Sequence, residues 1–376
     1  MAHSSKLGLI VNPIAGMGGR VGLKGTDGRE ILARARELGA TPVSPTRTIE
    51  ALKEIVPIAD RIELVTCPLE MGEEEALSCG FDPTVIGTIT KDETSAADTK
   101  NAARAMLNSQ VDLLLFAGGD GTARDICASI DQGLPALGIP TGVKIHSATF
   151  AVNPRRAGEL AVKFLQGDAQ LREAEVMDID EQAFRNGRLS AELYGYLKVP
   201  YEMELVQSAK SAGFTTPDEA ASQDLIAQNV VEKMTDDYYY VLCPGTTVKA
   251  VADKLGITKT LLGVDLVHKG SLIGSDLNEQ QLLRIIDQKK VKIVVSPIGR
   301  QGFIFGRGNP QISPAVIRKV GKQNILIIAT RSKLSSIGLG RPLLVDTGDE
   351  ETDKMLSGYT RVVTGYDEEA VLKVAS

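Results

Sequence analysis

The chain has 376 residues, of which 43% are hydrophobic and 24% are charged, and its formal net charge is −6. This composition is typical of a soluble globular protein of about two domains and excludes disordered, fibrous and strongly basic nucleic-acid-binding classes. Glycine is abundant, with 37 residues, while aromatic residues make up only 4%, which argues against an aromatic stacking surface for single-stranded nucleic acid. No apolar run reaches the length of about 18 residues that spans a membrane.

The first 140 residues alternate short apolar runs with helical patterns, which predicts a parallel sheet built from βαβ units. The predicted strands are 7–13, 61–67, 83–89, 112–119 and 135–140, and the clearest helices are 29–39 and 94–110. Thr94 or Ser95 is the expected N-cap of the second of these helices. The acidic run Glu73–Glu75 predicts a solvated helix face.

The pattern changes after a predicted helix at 154–167, because the next segments alternate polar and apolar residues and Asn186-Gly187 is a strong hairpin signal. From residue 246 onward the α/β pattern returns. We therefore expect two domains. Residues 1–170 form a Rossmann-like three-layer α/β domain with a parallel sheet, and residues 171–376 form a mixed α/β domain with an antiparallel portion.

The strongest chemical signal is the segment FAGGDGTARDI at 116–126. A buried strand ends there, and glycines surround Asp120 before a helical pattern begins, which places a carboxylate at the carboxyl edge of a parallel sheet. Glycines let backbone amides approach phosphate oxygens, and the start of a helix offers N–H groups to an anion. Asp120 can accept a proton from a hydroxyl or hold Mg²⁺. A plain strand-turn-helix corner with Asp120 as a cap is the alternative.

Two further strand ends carry glycine and polar residues. VNPIAGMGG at 11–19 follows the first strand, and GIPTGVKIHSATFAVNP at 138–154 follows the strand after Asp120. Successive strand ends of a parallel sheet can converge on one cleft, so we expect these three turns to lie close together.

Together these motifs resemble the NAD kinase/diacylglycerol kinase superfamily. The shared elements are the Gly-Gly-Asp-Gly-Thr turn at Gly118–Thr122 and the Asn-Pro-x-Ala-Gly segment at Asn12–Gly16. GIPTGVKIHS and VSPIGRQGFIFGRGNPQISP (295–314) look most like the bacterial and archaeal branch of ATP-NAD kinases that includes relatives from acetoin catabolism. The resemblance extends over essentially the whole chain.

The resemblance implies transfer of the ATP γ-phosphoryl group, with Mg²⁺, to the 2′-hydroxyl of the adenosine ribose of NAD. It implies that Asp120 is the general base or the carboxylate that positions Mg²⁺. The nucleotide-binding residues that it implies are Asn12, Gly16, Gly118, Gly119, Gly121, Thr122, Gly245, Thr246 and Thr247. The last three lie in PGTTVKA (244–250), which is similar to the family's second glycine-threonine loop.

Other candidates come from the residues alone, each with a simpler alternative. Lys144 and His146 can face the nucleotide, or they can be a surface lysine and a capping histidine. Arg124 can bind phosphate or pair locally with Asp125. Two polar residues of the glycine-rich turn at 306–309 suit a phosphate or ribose, or else a solvent loop; they are Arg307 and Asn309.

Asp265 ends a predicted strand, where it could supply a second carboxylate or cap a turn. Four cysteines without CxxC spacing predict reduced thiols, and the segment MAHSSKLGLIVNP predicts no secretory signal, so we expect a cytoplasmic protein. The expected partners are NAD and ATP, with polyphosphate as a second donor, no nucleic acid and no membrane. We also expect a homo-oligomer.

Two alternatives to NAD kinase activity stay open. A kinase of the same fold could act on another metabolite or a lipid, although no basic amphipathic helix for membrane docking is evident in the sequence. A nucleotide-binding regulatory protein could have kept the fold without turnover.

Overall fold

A computed structural model describes residues 4–23, 29–142, 145–179, 191–202, 217–298, 302–338 and 340–376. The chain forms two units, the first of residues 1–18 and 25–210 and the second of residues 19–24 and 211–376. The antiparallel strands that follow residue 170 pack with the first unit. Among the described residues, no helix has the length and apolar character needed to cross a membrane.

In the described part of the first unit, five parallel strands form a sheet in the order β3-β2-β1-β4-β5. They are β1 (Ser5–Val11), β2 (Ile62–Thr66), β3 (Thr84–Val85), β4 (Leu113–Gly118) and β5 (Ala136–Pro140). Both β4 and β5 are buried along their whole length, which confirms the prediction from their apolar runs. The chain visits β1, β2 and β3 on one side and then returns to β4 and β5 on the other, so the strand order reverses between β1 and β4.

Helices pack on this sheet. They are α1 (Arg29–Glu37), α2 (Ser44–Ile55), α3 (Glu73–Ser78), α4 (Ala96–Asn108), α5 (Asp120–Ile130) and α6 (Pro154–Leu165), with 3-10 helices at Val56–Arg61 and Leu69–Met71. The predicted cap of α4 is Ser95, whose backbone N–H donates to the Asp98 carboxylate at 2.8 Å.

The prediction for the acidic run at 73–75 is wrong for one residue. These residues begin α3 and Glu74 is exposed, but Glu75 is only 3% exposed. Burial raises the pKa of Glu75 to about 7, because a carboxylate loses its hydration inside a protein.

The alternating pattern after residue 170 forms an antiparallel hairpin, as predicted, but this hairpin belongs to the first unit and not to the domain 171–376 in which the sequence analysis places it. It consists of β6 (Gln170–Ile179) and β7 (Ala191–Tyr201). Four of its apolar side chains belong to the core of the parallel sheet; they are Ala174, Val176, Leu197 and Val199. The predicted turn at Asn186-Gly187 lies outside the described residues.

The described strands of the second unit form one mixed sheet in the order β10-β9-β8-β11-β13-β15-β16-β14-β12. They are β8 (Tyr239–Leu242), β9 (Asp265–His268), β10 (Ser271–Gly274), β11 (Val291–Val295), β12 (Phe303–Phe305), β13 (Ile325–Ile328), β14 (Leu343–Val345), β15 (Gly358–Gly365) and β16 (Glu368–Ala375). The run β8-β11-β13-β15 is parallel, whereas β8-β9, β9-β10 and β15-β16 are antiparallel.

Its helices are α7 (Pro217–Glu232), α8 (Thr246–Lys254), α9 (Glu279–Ile285), α10 (Pro314–Val320), α11 (Arg331–Ile337) and α12 (Glu350–Leu356), with a 3-10 helix at Lys322–Asn324. The α/β architecture of this region confirms the fold class that the sequence predicts.

Candidate active site

Two polar residues meet where the strand order of the first unit reverses. Asn12 directly follows β1, and its backbone N–H donates to the carbonyl of Ala117 in β4 at 3.0 Å. Its side-chain Nδ2 donates to Oγ1 of Thr122, in the first turn of α5, at 2.9 Å. Open α/β sheets bind ligands at this kind of switch point, outside the carboxyl ends of the strands. The two predicted motifs are therefore brought together.

Asp120 is the first residue of α5 and is 7% exposed. Its Oδ2 accepts the backbone N–H of His146 at 2.8 Å and lies 3.2 Å from Nδ1 of the His146 ring. Its Oδ1 accepts the backbone N–H of Ser147 at 2.9 Å. The segment after β5 thus holds the carboxylate in a fixed orientation, and three of its roughly four acceptor positions are occupied.

Close backbone contacts bind the three strand-end turns to one another. Gly16 has φ +81°, and a Cβ built on it would lie 2.1 Å from the carbonyl oxygen of Thr141. The Cα of Gly119 is 3.3 Å from the position of a Cβ on Gly142. The approach at Gly16 requires glycine, and the approach at Gly142 leaves little room for a side chain. Gly118 and Gly121 flank Gly119 and Asp120 in the same turn.

His146 lies beside Asp120, and it is 1% exposed. Its Nε2 is buried and has no hydrogen-bond partner among the described residues. Lys144 lies outside the described residues.

Arg124 and Asp125 lie on α5 with 3.9 Å between Nη2 and Oδ1. Asp125 is also 3.3 Å from Nζ of Lys100 on α4. The contact between Arg124 and Asp125 agrees with the simpler interpretation of Arg124, a local ion pair with its neighbour.

The PGTT segment lies in the second unit, at the end of β8. Gly245 has φ +121° and precedes α8, while Thr246 is exposed and Thr247 is fully buried. Oγ1 of Thr247 accepts a hydrogen bond at 3.1 Å from Nζ of Lys333 on α11, and the same ammonium donates to Oγ of Ser296 at 3.0 Å. No motif in the sequence points to Lys333 or Ser296.

Arg307 and Asn309 are 4% and 2% exposed, so a solvent loop is the wrong interpretation of their turn. Arg307 lies 3.6 Å from the carboxylate of Asp346 and packs over the ring of Phe303. Asn309 Nδ2 donates to the carbonyl of Ile304 at 2.8 Å, and its Oδ1 has no partner among the described residues. In the second unit these residues order the turn after β12.

Asp265 caps a turn, which is the simpler of its two interpretations from the sequence. It is fully buried and accepts hydrogen bonds from Thr260 N–H at 2.7 Å and from Asp276 N–H at 2.7 Å. Nζ of Lys259 lies 3.6 Å from it, and both side chains are fully buried. This pair is a structural element of the second unit.

The described residues contain no group of three or more His, Cys, Asp and Glu side chains that could hold a metal ion. Asp120 supplies one carboxylate at the switch point. A single carboxylate suits Mg²⁺ that reaches the site already bound to nucleotide phosphates, because Mg²⁺ in such sites keeps phosphate and water ligands. The four cysteines are free thiols, as predicted.

Two family models match the chain. The ATP-NAD kinase N-terminal domain matches residues 7–169, and the ATP-NAD kinase C-terminal domain matches residues 235–374. No match was found among curated proteins or solved structures. The two matched domains cover about four fifths of the sequence and include every candidate residue of both units. The chain belongs to the ATP-NAD kinase family and is a phosphotransferase.

Proposed function

We infer that this enzyme transfers the γ-phosphoryl group of ATP to the 2′-hydroxyl of the adenosine ribose of NAD and so forms NADP. The observation that carries the proposal is Asp120, which is held by two backbone N–H groups at the switch point of the first unit. Family membership supports kinase chemistry on a nicotinamide dinucleotide. The experiment below tests the identity of the phosphoryl acceptor, NAD, and of the phosphoryl donor, ATP.

Asp120 is suited to receive the acceptor hydroxyl. Its Oδ2 has two partners and its Oδ1 has one, so Oδ1 keeps one acceptor position for a hydroxyl hydrogen. In the proposed reaction Asp120 takes this proton while the hydroxyl oxygen bonds to the γ-phosphorus. The bond from phosphorus to the bridging oxygen of ADP breaks, and ADP leaves.

Phosphoryl transfer depends mainly on positioning and on neutralising charge. Asn12 and Thr122 fix the turn at Gly118–Thr122, whose backbone would approach the phosphates. If Mg²⁺ arrives bound to ATP, Asp120 would be the residue that helps to hold it, and the ion would supply charge neutralisation on the phosphates. Polyphosphate offers the same phosphoryl linkage and is the alternative donor.

The test is NADP formation by the purified full chain with NAD, Mg²⁺ and either ATP or polyphosphate. Asp120→Asn keeps the shape but removes the base, and we expect kcat to fall about 10²–10⁴-fold. Asp131→Asn is the matched control, because Asp131 is exposed at the other end of the same helix and should leave kcat unchanged. Circular dichroism and thermal unfolding check that both variants fold.

The absence of NADP with both donors would refute the choice of NAD. Following ATP consumption with a panel of sugars, lipids and dinucleotides then identifies another acceptor. Tight nucleotide binding without any turnover, unchanged in Asp120→Asn, would instead indicate a regulatory protein.

A further inference from the structure

Among the described side chains, the imidazole of His146 is the one that lies within hydrogen-bond distance of the Asp120 carboxylate. Nδ1 of the ring is 3.2 Å from Oδ2. The other two described donors to Asp120 are backbone N–H groups, those of His146 at 2.8 Å and of Ser147 at 2.9 Å. The imidazole is 1% exposed and Asp120 is 7% exposed, so this contact is shielded from water.

The chemistry of the two partners sets the direction of the side-chain hydrogen bond. An ionised carboxylate only accepts, so Nδ1 of His146 has to carry a proton and donate it to Oδ2 of Asp120. Nε2 is buried and has no partner among the described residues, so a proton on Nε2 would lack an acceptor there. A neutral ring with its proton on Nδ1 is therefore the tautomer that fits this site.

The ring makes the two oxygens of Asp120 unequal. Each carboxylate oxygen offers about two acceptor positions. Oδ2 accepts both the backbone N–H and the ring Nδ1–H of His146, whereas Oδ1 accepts the backbone N–H of Ser147. With respect to the described residues, a hydroxyl that approaches the carboxylate thus finds a free position on Oδ1 and none on Oδ2.

The segment that carries His146 is anchored to the neighbouring hairpin. Oγ of Ser147 accepts the backbone N–H of Met177 in β6 at 2.9 Å. The backbone N–H of Ala148 donates to the carbonyl of Glu175 in the same strand at 2.8 Å. These bonds hold the backbone next to His146, so the ring lies beside Oδ2 before any substrate arrives.

We propose that His146 is a positioning residue, whose ring occupies Oδ2 of Asp120 and so directs the acceptor hydroxyl to Oδ1. The inference rests on the proposed function for the part that Asp120 plays in the reaction, but the tautomer of His146 does not depend on it. The ring contacts no substrate and takes no proton. Without the ring, Oδ2 gains a free acceptor position, and the hydroxyl can bind there in a second, unproductive orientation.

His146→Asn and His146→Leu form a matched pair, because the two new side chains have nearly the same shape and only Asn can donate to Oδ2. We expect kcat for NADP formation to fall about tenfold or more in His146→Leu and much less in His146→Asn. KM for ATP and for NAD should stay unchanged in both variants, since the ring contacts neither nucleotide in the proposal.

His268→Asn is the control for this pair. His268 ends β9 in the second unit, where it stacks on the ring of Tyr239 with 3.9 Å between the ring centres, so its substitution should leave kcat unchanged. Equal kcat in His146→Asn and His146→Leu would overturn the inference. A raised KM for either nucleotide in His146→Leu would also overturn it, because the ring would then act on the nucleotide itself.

Nitrogen NMR of the wild-type protein tests the tautomer without any turnover, and it still applies if the variants fail to fold. The chain has three histidines, and the signal that disappears in His146→Asn belongs to His146. We expect a proton on Nδ1, and a ring without one would overturn the inference even if NADP is formed.

Failure of the proposed function gives a different result. If the wild type forms no NADP but phosphorylates another acceptor, the choice of NAD is wrong, and the same pair of variants is compared with that acceptor. A wild type without turnover on any acceptor would refute both the proposed function and the positioning role of His146.

Discussion

The two units of this kinase use the same position in a sheet for opposite chemistry. In the first unit, Asp120 lies in the turn after β4, and two backbone N–H groups of the segment after β5 hold its carboxylate. In the second unit, the turns after β8 and β11 hold an ammonium, Lys333, between two hydroxyls. In both units, the parallel strands place several loops at the carboxyl edge of the sheet. The residue types in those loops determine which ligands that edge can bind.

The units also differ in how they bury charge. Asp120 is stabilised by neutral backbone donors, whereas Asp265 of the second unit has a buried lysine, Lys259, 3.6 Å away. Burial lowers the pKa of Lys259, and the neighbouring Asp265 opposes that shift. Asp120 keeps an acceptor position available, whereas Asp265 accepts hydrogen bonds from Thr260 and Asp276 and also lies beside Lys259.

Breaking the buried pair of Lys259 and Asp265 should give the largest loss of stability among the variants considered. Lys259→Met leaves Asp265 buried without its cation, and we expect the free energy of unfolding to fall by about 3–5 kcal/mol. Urea denaturation followed by circular dichroism measures this loss. The control is Lys319→Met, which removes an exposed pair with Asp287 and should cost less than about 1 kcal/mol. Equal stability of the two variants would mean that the buried pair adds nothing.

Gly16→Ala tests whether the close packing of the first unit's turns is essential. The new Cβ would lie 2.1 Å from the carbonyl oxygen of Thr141 and would sit at φ +81°, so we expect a loss of about 2–4 kcal/mol and a large fall in activity.

Gly80→Ala is the matched control for Gly16→Ala. Gly80 has φ +82° but no atom within 4 Å of its added Cβ, so only the backbone cost of about 1 kcal/mol remains. Thermal unfolding and kcat are measured for both variants. If the two variants behave alike, the close approach of the turns has no role beyond the backbone conformation.

Much of this architecture follows from short-range sequence signals. Apolar runs locate the strands β1, β4, β5 and β11 because strands buried on both faces need continuous hydrophobic residues. The glycine turn around Asp120 can also be predicted from the sequence, because its glycines and its carboxylate are adjacent in the chain. The sequence does not predict the final hairpin β15-β16, because β16 alternates exposed and partly buried residues and has no continuous apolar run.

The rest depends on tertiary placement. Lys333 lies 86 residues from Thr247 in sequence, and nothing in RSKLSSI indicates that its ammonium reaches two other strand ends. The acidic run that contains Glu75 predicts a helix face exposed to solvent. Packing of α3 buries the carboxylate of Glu75, however, and leaves Glu74 exposed. Two donors to Asp120 are likewise backbone N–H groups 26 and 27 residues away, and a backbone N–H carries no residue-specific signal.

Glu75 is another buried carboxylate of the first unit, and burial affects it differently from Asp120. Its Oε2 has no partner among the described residues, and burial raises the pKa of Glu75 to about 7. Because this folded-state pKa exceeds the unfolded value of 4.5, the protonated form stabilises the fold below about pH 4.5. That stabilisation is lost as the pH rises through about 7.

We therefore expect the wild type to lose about 2 kcal/mol of stability between pH 5 and pH 8, a slope that Glu75→Gln should remove. Urea midpoints across this pH range give the measurement. Glu74→Gln serves as the control, since Glu74 is exposed and its substitution should leave the slope in place. A slope that persists in Glu75→Gln would assign the pH dependence to other groups.

The smallest expected effect concerns the link between the two strand-end motifs of the first unit. Thr122→Val keeps the shape of the side chain but removes the acceptor of Asn12 Nδ2, whereas Thr122→Ser keeps the hydroxyl. Loss of one hydrogen bond is worth about 1 kcal/mol, so kcat/KM should fall about fivefold in Thr122→Val and much less in Thr122→Ser. If the Asn12–Thr122 hydrogen bond aligns the turn at Gly118–Thr122, Thr122→Val will lower kcat more than it lowers thermal stability. A larger fall in Thr122→Ser than in Thr122→Val would show that the methyl group, and not the hydrogen bond, maintains the turn.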